Sequence, residues 1–368
     1  VAPQPAAAEV RQLDLWLNPH GFLKAAMMPG ANPVLITRYE GGALGGLSAT
    51  RQRRLNIISI TVLGKYRVNA TINDQNLVER VEYLSTNSVV GDVPVEITYS
   101  DYANFGDVQF PTHVVEKQDG FETLDLTIKD VMPNAPVAIE VPANVASAPP
   151  PAPVTADVQK VGDGLWSINA ANTRSLAVEF RDHIVMLEGP TSDARSAAAN
   201  ELVRKTVPNK PIRAVVNTHA HYDHAGGLRQ YVAEGITVIT HESSRVFFEG
   251  ALAAPATMTP DRQQAARRTA TVEGVRDKRV LTTGARSVEI HHIAGNTHAD
   301  GMLMVYLPKE RLLIQADAFT PGPPNSPAPT PPNAYHLNLV QNLERLKLQV
   351  ERILPLHGRI VPAGELYR

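Results

Sequence analysis

The stretch 214–227 limits the possible folds and functions of this chain more than any other part of the sequence. It holds three histidines and one aspartate within six positions, His219, His221, Asp223 and His224. A β-branched run precedes them and a glycine pair follows, which places them where a strand ends and a helix begins. The whole chain has 12 histidines in 368 residues, so composition alone does not produce this density. Imidazole and carboxylate groups are zinc ligands, and loops at strand ends commonly supply them. The stretch therefore predicts a metal site.

Three further polar residues stand at similar boundaries downstream. His298 lies in a loop between two apolar runs, Asp317 ends the apolar run 312–316, and His357 follows the apolar run 353–356. Strand side chains alternate between two faces, so polar residues placed just beyond buried strands can meet at one rim of a sheet. The set is large enough to form a site for two metal ions.

This pattern, His-x-His-x-Asp-His, then Gly-x-x-His, then Asp, then His, resembles the metallo-β-lactamase superfamily of hydrolases over residues 157–368. The intervals between the motifs are similar to those of its glyoxalase II and lactonase branches. The resemblance implies seven metal ligands: His219, His221 and His298 at one ion, Asp223, His224 and His357 at the other, and Asp317 as a bridge. It also implies two Zn²⁺ ions, with Fe or Mn as alternatives.

The chemistry implied is hydrolysis by a hydroxide that bridges the two ions, because metal binding lowers the pKa of water to about 7. Asp223 and Asp317 would orient the hydroxide, and Asp223 is also a candidate to move the proton to the leaving group. Tyr222 is a candidate hydrogen-bond donor to substrate, although packing is the favoured role. The chain has no cysteine, so a thiolate can be neither nucleophile nor ligand.

Asp317 also bears on the substrate. Members of the superfamily that hydrolyse β-lactams usually carry Cys or Ser there, whereas an aspartate resembles thioesterases, lactonases and phosphodiesterases. We therefore expect cleavage of a carboxylic ester, lactone or thioester. The alternatives are a β-lactam hydrolase, a zinc phosphodiesterase, an iron-dependent sulfur dioxygenase and, least favoured, a non-catalytic scaffold anchored by metal. A net charge of −2 argues against nucleic acid as a partner, so a small-molecule substrate is expected, and a homo-oligomer stays open.

The length favours two domains, and the composition changes where their boundary is expected. Residues 1–142 predict a β-rich domain of unknown role: helical segments over 9–28 and then an antiparallel meander of strands. Residues 143–156 form a Pro/Ala-rich linker, and residues 157–368 form the catalytic domain. In that domain strand-rich layers flanked by helices predict an αβ/βα sandwich, so the fold class is α/β.

Several local features carry weaker predictions. The segment 241–279 lacks strand patterning and is interpreted as a pocket lining or a surface helix pair. The proline-rich loop 321–332 is expected to wall the cleft, and a last helix over 339–354 to deliver His357. No apolar run is long enough for a transmembrane segment. The start Val1-Ala2-Pro3 suggests a trimmed N-terminus, hence a periplasmic or secreted protein, with a cytoplasmic protein as the alternative.

Overall fold

A computed structural model describes residues 5–40, 53–149, 153–170, 173–327 and 330–367. The chain start at Val1, the glycine pair 41–42 and the linker residues 150–152 lie outside these ranges. The described chain divides into two compact units, the first within 1–86 and 92–152 and the second within 87–91 and 153–368. The domain bounds 1–142 and 157–368, with the linker between them, stay a prediction. Within the described ranges, no helix has both the length and the apolar composition of a membrane span.

The first unit contains a seven-stranded antiparallel sheet, and two helices precede this sheet in the chain, as the sequence predicts. Its strands lie side by side in chain order, so β1 and β7 are its edges. Its elements are α1 (Pro5–Leu17), α2 (Pro19–Ala26), β1 (Val34–Glu40), β2 (Arg53–Val62), β3 (Tyr66–Ile72), β4 (Val78–Asn87), β5 (Gly91–Phe105), β6 (Val108–Gln118), β7 (Phe121–Thr127) and the short α3 (Ala143–Ala146).

The helices of this unit follow from capping and apolar spacing. Asn18 ends α1 and caps α2, its side chain accepting a hydrogen bond from the Gly21 backbone N–H. Leu17 and Phe22 are fully buried, and the Tyr99 hydroxyl on β5 donates to the Leu17 carbonyl at 3.0 Å. The helices therefore cover one face of the sheet.

The second unit contains two mixed sheets. The first has the strand order β14-β13-β12-β11-β10-β9-β8, and the second runs β15-β16-β17-β18-β19-β20. The strands are β8 (Asp157–Gly162), β9 (Leu165–Ala170), β10 (Thr173–Glu179), β11 (Ile184–Leu187), β12 (Ile212–Val216), β13 (Thr237–His241), β14 (Val272–Val275), β15 (Lys278–Thr283), β16 (Arg286–His292), β17 (Leu303–Leu307), β18 (Leu312–Gln315), β19 (Arg352–Pro355) and β20 (Val361–Pro362). The helices are α4 (Asp193–Thr206), α5 (Tyr222–Ala225), α6 (Leu228–Ala233), α7 (Glu242–Ala253), α8 (Arg262–Ala266) and α9 (Ala334–Leu346), with a 3₁₀ turn at Ala363–Glu365.

The two sheets pack face to face. One apolar cluster joins side chains of both, such as Leu176 of β10 and Ile290 of β16. A second cluster packs Val203 of α4 and Phe248 of α7 on the outer face of the first sheet. A third packs Leu339 of α9 on the outer face of the second sheet. This layering confirms the αβ/βα sandwich.

Two element predictions are wrong. The last helix ends at Leu346 rather than 354, because Lys347 adopts a left-handed backbone with φ of 54°. The strand β19, not a helix, therefore leads to His357. The segment 241–279 does contain a strand, β14, which pairs with β13 in parallel. This strand has only four residues, one of them Gly274, so it shows no alternation. The segment also contains the expected helix pair, α7 and α8, and the first two residues of β15.

Candidate metal centre

The central motif, residues 219–224, begins in the loop after β12 and continues into the short helix α5. His219 follows the buried end of β12, and His221 caps α5 in an extended conformation. Asp223 and His224 then fall in the single turn of that helix. The Asn217 side chain donates to the His224 carbonyl at 3.2 Å, which closes the loop on itself. The strand end and the helical turn thus direct the four side chains of the motif into one region.

The second sheet supplies the remaining predicted residues, each from a loop held by side-chain hydrogen bonds. The His298 backbone N–H donates to Asn296 Oδ1 at 2.8 Å. Asp317 follows β18 with a left-handed φ of 57°, and the Gln315 amide clamps the next turn through the backbone N–H and carbonyl of Phe319. A left-handed φ is uncommon at residues other than glycine, and aspartate is among those that adopt it most readily.

The seven predicted residues converge into two groups that share Asp317. The first group is His219, His221, His298 and Asp317, with one candidate ligand atom from each residue within 4.8 Å of the others. His219 Nε2 lies 3.1 Å from His221 Nδ1, and His298 Nε2 lies 3.1 Å from Asp317 Oδ2. This His298 nitrogen is buried yet makes no hydrogen bond to the described residues.

The second group is Asp223, His224, Asp317 and His357, and its ligand atoms are equally close. His357 Nε2 lies 3.1 Å from His224 Nε2 and 3.2 Å from Asp223 Oδ2. Asp317 Oδ2 lies 3.2 Å from His224 Nε2, while its Oδ1 lies 3.5 Å from His357 Nε2. The carboxylate of Asp317 therefore stands between the two groups.

The electrostatics of the centre favour a cation. Burial lowers the pKa of His224, but hydrogen bonds to the carboxylates of Asp317 and Glu188 outweigh it and raise this pKa to about 10. Burial likewise raises the pKa of Asp317, and the imidazoles of His219 and His224 reverse this and hold it well below its usual range. Imidazole nitrogens and carboxylate oxygens converging on shared points form the donor set that divalent transition metals prefer. The residues fit a divalent metal centre.

Glu188 is a candidate functional residue that the sequence motifs do not include. It is fully buried at the end of β11, its Oε1 accepts the Thr218 backbone N–H at 2.6 Å, and its Oε2 lies 3.2 Å from His224 Nδ1. A carboxylate on the far nitrogen of a metal-binding imidazole fixes its tautomer and orientation. The available signal was a charged residue at the end of an otherwise apolar strand.

Tyr222 and two further histidines of the second unit lie outside the two groups. Tyr222 is 64% exposed, and both its packing role and its role towards substrate stay predictions. His241 caps α7 and contacts His292, with ring centroids 4.2 Å apart. His183 stacks on Phe180 and lies 2.9 Å from Asp182.

A cavity of about 370 Å³ adjoins Asp317. The proline-rich loop forms much of its wall, as expected, and Phe319 and His336 contact each other within it. Among the described residues that line this cavity, none comes from the segment 241–279. The ring of Tyr335, next to His336, packs edge-on against His298 with centroids 5.5 Å apart.

Comparison with known proteins agrees with this geometry. The family model described as the metallo-beta-lactamase superfamily matches residues 186–357, a range that includes all seven predicted ligands. The chain is 26% identical over 159 residues to the 2,4-dinitroanisole O-demethylase subunit alpha of a Nocardioides species, a match covering 43% of this chain and 45% of that protein. It is 36% identical over 76 residues to a linear primary-alkylsulfatase of a Pseudomonas species, covering 20% of this chain and 11% of that protein.

These curated relatives are longer than the matched region, and the chain spans less than half of their length. Among solved structures, the chain resembles a metallo-beta-lactamase from Pontibacter korlensis with a TM-score of 0.43 and 17% identity, covering 58% of this chain and 96% of that one.

Proposed function

We propose that the protein is a hydrolase with two zinc ions, because residues 186–357 match the family model of the metallo-beta-lactamase superfamily. Its substrate on this proposal is a carboxylic ester, a lactone or a thioester. The observation that carries the proposal is the shared carboxylate: Asp317 belongs to both ligand groups, so the two groups form a single centre. A centre in which one carboxylate serves two cation sites suits two-metal hydrolysis.

His219, His221 and His298 would hold one ion, Asp223, His224 and His357 the other, and Asp317 would contact both. Bound zinc would supply a water-derived nucleophile at neutral pH and polarise the scissile carbonyl group. Fe or Mn remains compatible with these ligands. Nucleophilic cysteine chemistry is excluded, since the sequence contains no cysteine.

The residues of the chain would hold the reaction geometry. Glu188 keeps the His224 imidazole in one orientation through its contact with Nδ1. Asp223 is only partly buried and faces His357, so it can accept a proton and pass it to the departing group. Tyr222 is exposed beside the motif, where its hydroxyl can donate to a bound substrate.

Hydrolysis of a primary alkyl sulfate is a second candidate. It is favoured by the identity of 36% to an alkylsulfatase, although that match covers 76 residues only. Sulfate and carboxylate esters both require a polarised ester and an activated water, so the same centre could serve either reaction.

Metal analysis and a substrate panel test the proposal. Protein purified without added metal is analysed for its elements and then assayed with p-nitrophenyl esters, lactones, a thioester, a primary alkyl sulfate, a cephalosporin and bis-p-nitrophenyl phosphate. We expect about two zinc ions per chain, as two ligand groups require. We also expect turnover of an acyl substrate that chelation abolishes and zinc restores.

Asp317→Asn is the matched variant, because it keeps the size of the side chain but removes the shared charge. It should lose zinc from both sites together with activity. One iron per chain without hydrolysis would refute the proposal and favour the dioxygenase alternative. Turnover confined to the alkyl sulfate would select the second candidate.

A further inference from the structure

The cavity beside Asp317 lies next to the proposed zinc centre, and its charges suggest which substrates fit. Its volume of about 370 Å³ falls within the usual range for pockets that hold small molecules. Phe319 and the prolines 321, 323 and 327 give it an apolar wall, while Ser326 and Asn333 are polar and uncharged. Asp317, which belongs to both ligand groups, is among the described residues that line the cavity.

The cavity has a cation, but its charge is already paired. Arg359 is the only lysine or arginine among the described residues that line the cavity. Its Nη1 donates to Glu365 Oε1 at 3.0 Å, its Nη2 also binds the Glu365 carboxylate, and its Nε donates to the Gly322 carbonyl at 2.9 Å. The Glu365 carboxylate offsets the charge of this guanidinium, which weakens its attraction for a second anion.

The remaining titratable group adds no positive charge. Burial lowers the pKa of His336, so its imidazole is neutral at pH 7. Away from Asp317, the lining of the cavity is therefore partly apolar and carries no net charge, because Arg359 and Glu365 pair with each other.

From these observations we propose that Glu365 determines the charge preference of this cavity by neutralising Arg359. The cavity then accepts the uncharged organic part of an ester and discriminates against substrates that carry a carboxylate on that part. This inference rests on the proposed hydrolase function and adds a substrate class to it. It places carboxylate-bearing β-lactams among the poor substrates.

A matched pair of esters tests the inference on the zinc-loaded full chain. p-Nitrophenyl hexanoate and mono-p-nitrophenyl adipate share a leaving group and a six-carbon acyl chain, but the adipate ends in a carboxylate. We expect kcat/KM to favour the hexanoate by about tenfold, the size of one missing charge-assisted hydrogen bond. Glu365→Gln frees the Arg359 guanidinium and should shift this ratio about tenfold towards the adipate.

Glu344→Gln is the control, because it removes the same charge from an exposed position on α9 that does not line the cavity. It should leave the ratio unchanged. Thermal melts establish that both variants are folded. A wild-type preference for the adipate, or equal shifts in the two variants, would overturn the inference.

A binding measurement separates this inference from the proposed function. The anilides of the same two acids resist hydrolysis, and their binding to the wild type and the Glu365→Gln variant can be measured by calorimetry. If neither ester is hydrolysed but the neutral anilide binds better and Glu365→Gln reverses this, the hydrolase proposal fails and the cavity assignment stands. If the esters are hydrolysed and the anilides show no charge preference, the cavity assignment fails.

Discussion

At the scale of single residues, Glu188 shows how a buried carboxylate can act on a metal centre that it does not enter. Its two oxygens are committed to different partners, the Thr218 backbone N–H and His224 Nδ1. It therefore ties the backbone of the central motif to the orientation of one of its ligands. A neutral side chain of equal size would keep the hydrogen bond to Thr218 and weaken the electrostatic contact with His224.

We expect Glu188→Gln to lower zinc affinity or kcat about tenfold, within the range typical of such supporting contacts. Competition with a fluorescent chelator gives the affinity, and excess zinc should recover part of the activity. Glu310→Gln is the control, since Glu310 pairs with Arg286, outside both ligand groups, and should change either quantity less than twofold. An unchanged zinc affinity and kcat in Glu188→Gln would leave Glu188 with a purely structural role.

Asp193 is a second buried carboxylate, with consequences for stability rather than activity. Burial, reinforced by the Asp261 carboxylate, raises its pKa to about 7, although Arg229 acts in the opposite direction. Its pKa in the unfolded chain is the ordinary 3.8, so the folded state binds the proton more tightly. The stabilising contribution of the protonated form is complete below about pH 4 and is lost as the pH rises through 7.

Asp193→Asn removes this titration. The variant should gain about 2 kcal/mol in the free energy of unfolding relative to the wild type at pH 8.5, and much less at pH 5. Urea unfolding of both proteins at the two pH values provides the measurement. A difference between them that is the same at both values would show that the carboxyl group is not titrating in this range.

At the scale of elements, the approach of α6 to α4 depends on a glycine. A Cβ added to Gly227 would lie 2.2 Å from Ser196 Oγ and 2.6 Å from the Ser192 carbonyl oxygen. Gly250, in α7, has open space around it instead. Comparing the two positions therefore separates the loss of stability caused by crowding from the gain of stability that alanine brings to a helix.

Gly227→Ala should lower the free energy of unfolding by about 2 kcal/mol, because the backbone of α4 has to shift. Gly250→Ala should raise it by about 0.5–1 kcal/mol through helix propensity. Urea unfolding followed by tryptophan fluorescence compares them. Equal stability of the two variants would mean that α6 can move away from α4 without loss.

The same scale shows what the sequence could and could not reveal. The motif at 219–224 is local, so its spacing alone predicts that its side chains meet, and the sandwich follows from strand and helix patterning. The place of His357 after an apolar run predicts it as a ligand, but a strand and not the expected helix precedes it, because the left-handed turn at Lys347 leaves no clear sequence signal. Glu188 was missed because its partners lie about 30 residues away along the chain. The pairing of Arg359 with Glu365 likewise depends on the 3₁₀ turn at Ala363–Glu365, which the sequence pattern does not predict.

At the scale of the whole second unit, the ligand groups connect its two sheets. The motif at 219–224 follows β12 of the first sheet, whereas His298, Asp317 and His357 come from loops of the second sheet. Both ligand groups combine residues from the two sheets. Metal ions bound there would link the two sheets, which otherwise contact each other through the apolar cluster between them.

Such links would make the stability of this unit depend on metal concentration. Free zinc at one hundred times its dissociation constant would stabilise the folded state by about 2.7 kcal/mol per site. The urea midpoint should therefore rise with each increment of zinc and fall on chelation. His219→Ala combined with His357→Ala removes a ligand from each group and should abolish this dependence, while His113→Ala, on β6 of the first unit, should preserve it. A zinc response that survives the double substitution would place the stabilising ion elsewhere. If the zinc response is lost in the double variant and kept in His113→Ala, the stabilisation comes from ions bound at the two ligand groups that share Asp317.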